Sequence, residues 1–95
     1  MHCFLVERNL PRMTDASLVA LRRALREATR RVSTPEAPVR YLASMYLPST
    51  DTCLCLFEAS SAQLVRAANA TAQAPVRTIL EAVVMRANEN EGESQ

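Results

Sequence analysis

One segment of the chain, residues 14–32, carries its apolar side chains at the spacing of an α-helix. Thr14 can cap the start of this helix, because a threonine hydroxyl accepts a hydrogen bond from one of the first free backbone N–H groups. The apolar row recurs every three or four positions; its members are Leu18, Leu21, Leu25, Ala28 and Val32. Because one helix is compatible with many folds, the fold class depends on the segments before and after it.

Short runs of aliphatic, aromatic and β-branched residues lie on both sides of the helix and predict β-strands. The first run, residues 2–10, ends at Pro11, which opposes continuation of a strand. After the helix, residues 39–47 and 52–59 form two more runs. The sequence PSTD between them is typical of a turn, so these two strands are predicted to pair as a hairpin.

A second helix is predicted over residues 60–72, with Ser60 and Gln63 in a capping pattern. It must end before Pro75, because the residue preceding a proline resists the helical conformation. Residues 76–85 then supply the last strand. The resulting β-α-β-β-α-β order is that of the ferredoxin-like fold, an α+β sandwich of a four-stranded antiparallel sheet with two helices on one face.

One domain is predicted over residues 1–86, followed by a disordered tail over 87–95, which contains no core-forming residue. A chain of 95 residues with 48% apolar composition is enough for a single small core. Two helices on one face leave the other face of the sheet bare, and a second copy of the chain would cover it. We therefore expect a homodimer whose open sheet faces meet.

The charge of the chain argues against a nucleic-acid partner. Its formal net charge is +1, so the long-range attraction that draws a protein to nucleic acid is missing. No apolar run approaches the roughly 20 residues of a membrane span, and the first residues lack the basic and apolar regions of a secretion signal. We expect a cytoplasmic protein with no membrane partner. Its three cysteines leave at least one unpaired, so a disulfide framework is not expected.

The sequence CLCLFEA, residues 53–59, places two cysteines one residue apart. Because side chains alternate across a strand, Cys53, Cys55 and Phe57 share one face and the intervening leucines take the other. The leucines suit the helix-covered side, so we expect the cysteines to face the open side of the sheet. There they could be small apolar filler, the usual role of free cysteine, or ligands of a soft metal.

Four residues are predicted to bind a ligand in the open-face cleft: Glu7, Tyr46, Cys55 and Glu58. The metal ligands predicted for the same cleft are Glu7, Cys53 and Cys55. Tyr41 and Tyr46 are five positions apart on one strand, so they are expected to face opposite ways. The two acids lie near strand ends, where most such side chains are merely solvated.

No catalytic residue is proposed from the sequence. The only histidine, His2, adjoins the terminal methionine, so a nucleophile paired with a histidine base is improbable. A glycine-rich phosphate loop is excluded, because the only glycine is Gly92 in the predicted tail.

A row of arginines runs along the first helix, apart from its apolar face. Arg22, Arg26 and Arg30 form the row, with Arg23 and Arg31 beside it. Taken alone, the row resembles an anion site. In a chain of nearly neutral charge, however, a solvated helix face is the usual meaning of such a row, and we expect that here.

Four short stretches carry a family resemblance when taken in order: FLVERNLP, VRYLASMYL, CLFEA and APVRTI. Over about residues 3–85 the chain resembles a family of small bacterial ferredoxin-like proteins of unknown function, which includes an actinomycete nickel-binding, nickel-responsive protein. The resemblance implies the fold, a homodimer, and an open-face cleft near Glu7 and Cys55. Glu7 stands where family members often carry a histidine, and Cys55 matches the cysteine of the family's C-x-x-E-A stretch.

The leading hypothesis for function is a non-enzymatic homodimer that binds a small ligand or a divalent metal ion, with nickel as the candidate, in the open-face cleft. The alternative is a dimeric α/β-barrel-type enzyme of the monooxygenase or isomerase class that uses the same cleft. A third hypothesis is a degenerate interaction module whose site has been lost.

Overall fold

The structure, a computed structural model, describes residues 1–88 and confirms the predicted order of elements. The strands are β1 His2–Asn9, β2 Val39–Leu47, β3 Thr52–Ala59 and β4 Thr78–Ala82, and the helices are α1 Asp15–Val32 and α2 Ala62–Thr71. Residues 89–95 of the predicted tail lie outside the described residues. Neither helix of residues 1–88 has the length and apolar character needed to cross a lipid bilayer.

The four strands form one antiparallel sheet in the order β2-β3-β1-β4. Every neighbouring pair is antiparallel, with β1 and β3 in the centre and β2 and β4 at the edges. Both helices pack on the same side of the sheet, where the core lies. The fold is therefore the predicted ferredoxin-like α+β sandwich.

Side-chain caps fix the starts of both helices. Thr14 caps α1 as predicted, since its hydroxyl accepts a hydrogen bond from the backbone N–H of Ser17 at 3.0 Å. The cap of α2 is Ser61 and not Ser60, and its hydroxyl accepts from the N–H of Leu64 at 3.4 Å. The second helix thus begins one residue later than the capping pattern indicated.

The core contains the face of β3 that was predicted to be open. Cys53 and Cys55 are only 1% and 0% exposed, and they pack with Phe57 in the cluster that also contains Leu25 and Val65 of the helices. The prediction that the cysteines face the open side is therefore wrong. Phe57 explains the choice of face, because the bulkiest apolar side chain of β3 gains most from burial and alternation brings both cysteines with it.

An irregularity in β2 changes which way its tyrosines point. Tyr41 pairs with Phe57 of β3, but the next pair is Ala43 with Leu56, so Leu42 is an extra residue in the ladder. A bulge of this kind reverses the alternation of side chains beyond it. Tyr41 and Tyr46 consequently lie on the same, helix-covered side of the sheet, and the prediction that they face opposite ways is wrong.

Candidate functional site

The side of the sheet without helices has an apolar centre, and we call it the open face. It is made of alternate residues from all four strands: Cys3, Leu5 and Glu7 of β1, Leu54, Leu56 and Glu58 of β3, Arg40, Ala43 and Met45 of β2, and Thr78, Leu80 and Ala82 of β4. Met45 is 63% exposed and Leu80 is 58% exposed. Large apolar side chains on one continuous surface are unusual for a monomer.

Polar side chains occupy the two ends of the open face. Near one end, Thr78 donates a hydrogen bond to the carboxylate of Glu7 at 3.1 Å. Near the other end, Arg40 forms an ion pair with Glu58 at 3.2 Å. Cys3 is the register partner of Glu58, so a thiol and a carboxylate lie side by side there. The open face is thus apolar in the middle and polar at both ends.

The predicted site residues divide between the two sides of the sheet. Glu7 and Glu58 lie on the open face, because they alternate with residues buried under the helices. Cys53, Cys55 and Tyr46 lie on the helix side. The structure therefore does not bring Glu7 together with the cysteines. Among residues 1–88, no group of three or more histidine, cysteine or acidic side chains is placed to hold a metal ion.

Tyr46 has a structural role in this arrangement. Its hydroxyl donates a hydrogen bond to the backbone carbonyl of Leu10 at 2.9 Å. The carboxylate of Asp51 lies 3.3 Å from the same hydroxyl. Tyr46 thereby joins the end of β2 to the segment that follows β1, and its hydroxyl does not reach the open face.

The two cysteines of β3 form a buried dithiol. Their sulfur atoms are 3.7 Å apart, and the hydroxyl of Ser44 donates to the sulfur of Cys55 at 2.9 Å. Burial raises the pKa of Cys53 to about 12, and the nearby Cys55 adds to this effect, whereas the guanidinium of Arg8 opposes it. Cys53 is therefore a neutral thiol at physiological pH, which makes it a poor nucleophile.

Arg8 is a buried cation that the sequence analysis missed. It is 0% exposed, and it donates from Nη1 to the carbonyl of Pro75 at 2.8 Å and from Nη2 to Oδ1 of Asn69 at 2.7 Å. Its Nε has no hydrogen-bond partner within the described part of the chain. Alternation along β1 could have indicated its burial, because Arg8 lies on the same side of the strand as the buried Phe4 and Val6.

The arginine row of α1 lines a groove. The groove lies between α1 and β2, and it comprises two adjoining cavities of about 1110 and 550 Å³. Four residues line both cavities: Val19, Arg22, Arg26 and Tyr41. We call this feature the α1–β2 groove. The row was expected to be a plain solvated face, but residues of β2 form a second wall beside it.

Comparison with known proteins identifies the family. No curated protein matches the chain. The crystal structure of SCO4226 from Streptomyces coelicolor A3(2) matches it with a TM-score of 0.75 and 20% sequence identity, covering 88% of this chain and 99% of that one. This likeness supports the fold alone. The model of the family described as "Nickel responsive protein SCO4226-like" matches residues 4–82. Because the match spans most of the sequence, the chain belongs to the SCO4226-like family.

Proposed function

We propose that the protein is a non-enzymatic homodimer that binds a small ligand or a divalent metal ion between two open faces. The observation that supports this most directly is the apolar centre of the open face. Leu5, Leu54 and Leu56 lie there beside the more exposed Met45 and Leu80. Covering these side chains would remove apolar surface from water, which is the main favourable term in most protein association.

The size of the open face is adequate for a dimer. Four strands spaced by about 4.8 Å make the sheet about 19 Å wide, and the eight residues of β3 extend it to about 27 Å. A flat contact of these dimensions covers about 500 Å² on each copy, or about 1,000 Å² in all. That total is at the lower limit for a specific protein interface.

The charges on the open face also suit a second copy of the same chain. Arg40 and Glu58 lie together near one end, so a copy related by two-fold symmetry presents the same opposite charges in reverse order. Such a surface is complementary to itself, which favours correct pairing over other contacts. A partner of different sequence would need charges placed to match Arg40 and Glu58, whereas a second copy of this chain already has them.

Metal binding in this proposal requires both copies. Cys3, Glu7 and Glu58 are the donor side chains of the open face, and no three such groups converge within the described residues of one chain. Two copies would double the thiol and carboxylate donors, which can bind divalent transition metals. The family's description as nickel responsive supports nickel as the first ion to try.

Sedimentation equilibrium over a wide concentration range tests the dimer. The wild-type protein should be dimeric, and Leu56→Arg, which places a charge in the centre of the open face, should be monomeric with unchanged circular dichroism. Val19→Arg is the matched control, because Val19 is a 42% exposed residue of α1 on the opposite side of the sheet. A wild-type protein that stays monomeric at every concentration would overturn the proposal.

Titration calorimetry of the reduced dimer with nickel tests the metal. We expect saturable binding at one ion per two chains, weakened in Cys3→Ser and Glu58→Gln. Cys55→Ser is the control, because Cys55 is buried on the helix side and should leave affinity unchanged. If the dimer binds none of nickel, zinc and cobalt, the metal part of the proposal is wrong, and a small organic ligand is then the occupant to seek.

A further inference from the structure

We propose that the α1–β2 groove binds a small organic anion, with its carboxylate or phosphate head on the arginines of α1 and its apolar body in the smaller cavity. The arginines of α1 and the open face lie on opposite sides of the sheet, and the two surfaces meet only at the edge strand β2, where Arg40 and Ala43 line the groove and also belong to the open face. The inference does not rest on the proposed dimer or its ligand, because the arginines that it assigns to the anion lie on α1.

Positive charge is concentrated in the larger cavity. Five arginines and one glutamate line it, although the whole chain carries a formal charge of only +1. Glu27 is the acid, and it pairs with Arg30, while Arg40 pairs with Glu58 of the open face. Within residues 1–88, Arg22, Arg23 and Arg26 have no acidic side chain at ion-pair distance. The groove thus holds a local excess of cationic groups available to an anion.

Arg22 and Arg26 are placed to bind one anionic group together. They are four positions apart on α1 and therefore adjacent on its surface. Both line the larger and the smaller cavity, so the two residues lie at the boundary between them. Guanidinium groups bind carboxylate and phosphate through paired, charge-assisted hydrogen bonds, which defines the head of the ligand.

The smaller cavity defines the body of the ligand. Its lining is mainly apolar and aromatic and includes Leu18, Leu21, Leu42, Tyr41 and Tyr46. Its volume of about 550 Å³ is within the range of cavities that hold small molecules. The hydroxyls of Tyr41 and Ser44 bond to each other at this wall, so they provide a polar point in addition to Arg22 and Arg26. An alkyl chain or a ring attached to the anionic head fits this lining.

The length of the arginine row favours a small molecule over a polyanion. From Arg22 to Arg30 the helix rises about 12 Å, which corresponds to about four phosphates of one nucleic-acid strand. Beyond this row the groove turns apolar towards Leu18 and Leu21. A long polyanion would gain few contacts, whereas a compact anion with an apolar body would use both cavities.

Tyrosine fluorescence offers a direct probe of the groove. The chain has two tyrosines and no tryptophan, and both tyrosines line the smaller cavity. Octanoate and octyl phosphate are suitable probes, since they share the body and differ in the head. At least one should change the fluorescence saturably, with one site per chain by calorimetry. Inorganic phosphate, which has only the head, and 1-octanol, which lacks the charge, should both bind about tenfold or more weakly.

A matched pair of double variants tests the arginines. Arg22→Gln with Arg26→Gln should weaken binding of the octyl anion by about tenfold or more, because charge-assisted hydrogen bonds are lost. Arg31→Gln with Arg66→Gln makes the same change in net charge at exposed residues that do not line the groove, and should leave affinity within about twofold. All four side chains are exposed, so both variants should fold.

Three results would overturn the inference. In the first, 1-octanol binds as tightly as octanoate, which would remove the anion requirement. In the second, both double variants lose affinity equally, which would show general electrostatic attraction. In the third, a short oligonucleotide or a poly-glutamate peptide changes the tyrosine signal at lower concentrations than either octyl anion, which would make the groove a surface for acidic polymers.

Discussion

Asn69 accepts a 2.7 Å hydrogen bond from Arg8, and both side chains are fully buried. The bond joins the end of β1 to the last turn of α2, and Asn69 in turn donates to the carbonyl of Val65 at 2.8 Å. No acidic side chain of the described residues pairs with Arg8. The hydrogen-bond acceptors of this buried guanidinium are two neutral oxygen atoms, those of the Asn69 amide and the Pro75 carbonyl.

Replacing the amide should therefore be costly. Asn69→Ala leaves Nη2 of Arg8 without an acceptor, and we expect a loss of about 2–3 kcal/mol in the free energy of unfolding, as is usual for a buried hydrogen bond to a charged group. Urea unfolding measures this loss. Gln63→Ala on the exposed side of the same helix is the control and should change stability by less than about 0.5 kcal/mol. Similar losses in the two variants would contradict the role assigned to Asn69.

The three thiols should differ sharply in reactivity. Cys53 and Cys55 are buried within one chain, so their alkylation should be slow and independent of protein concentration. Cys3 is half-buried on the open face, and its alkylation should be faster. If two copies cover that face, the rate at Cys3 should fall as protein concentration rises. Mass spectrometry after a timed alkylation pulse checks all three sites, and rapid labelling of Cys55 in the folded protein would contradict the structure.

Stability should decline in alkaline solution because of Cys53. Its pKa is raised by burial from 9.0 to about 12, so the folded chain holds this proton more tightly than the unfolded chain. The resulting stabilisation is complete below about pH 9 and is lost as the pH rises through 12. The loss is at most about 1.4 kcal/mol per pH unit for one group.

Thermal or urea unfolding at several pH values between 8 and about 11 measures this decline. Cys53→Ala should reduce the slope, whereas Cys3→Ala on the open face should not. A residual slope of the same sign is expected from Tyr41, because burial also raises the pKa of its hydroxyl. If stability fell equally steeply with pH in wild type and in Cys53→Ala, folding would not raise the pKa of the Cys53 thiol.

Two leucines of α1 should contribute unequally to stability. Leu25 is fully buried against the sheet, so Leu25→Ala should cost about 2–5 kcal/mol. Leu21 is half-buried at the edge of the α1–β2 groove, and Leu21→Ala should cost about 1 kcal/mol. Urea unfolding of both variants makes the comparison. Equal losses would mean that the groove is closed in solution.

Most of the fold could be predicted from local patterns. The helical spacing of α1, the cap at Thr14 and the turn between β2 and β3 each act over a few residues, and the strands over 39–47 and 52–59 have the bounds that were predicted. The last strand is shorter than the predicted 76–85, because β4 pairs with β1 only over residues 78–82. Pairing, and not composition, limits its length.

The candidate site was harder to predict, because it depends on which side of the sheet each strand presents. For β3, alternation correctly predicted that Cys53, Cys55 and Phe57 share one side of the sheet. Which side is buried depends on whether Phe57 or the two leucines gain more from burial, and alternation does not decide that. For β2, the bulge at Leu42 cannot be read from an aliphatic run. For β1, a buried arginine contradicts the usual exposure of that residue, and its distant partners Asn69 and Pro75 explain it.

The hydrogen bonds of Arg8 also constrain how the chain can fold while it is being made. Asn69 and Pro75 lie 61 and 67 residues further along the chain. At about 5–20 residues per second, Arg8 is added to the chain roughly 3–13 s before its last acceptor, Pro75. Until then the guanidinium is stabilised best by water, which opposes early burial of β1 in a partial core. The nascent chain is thus expected to complete its sheet only when nearly the whole domain has emerged.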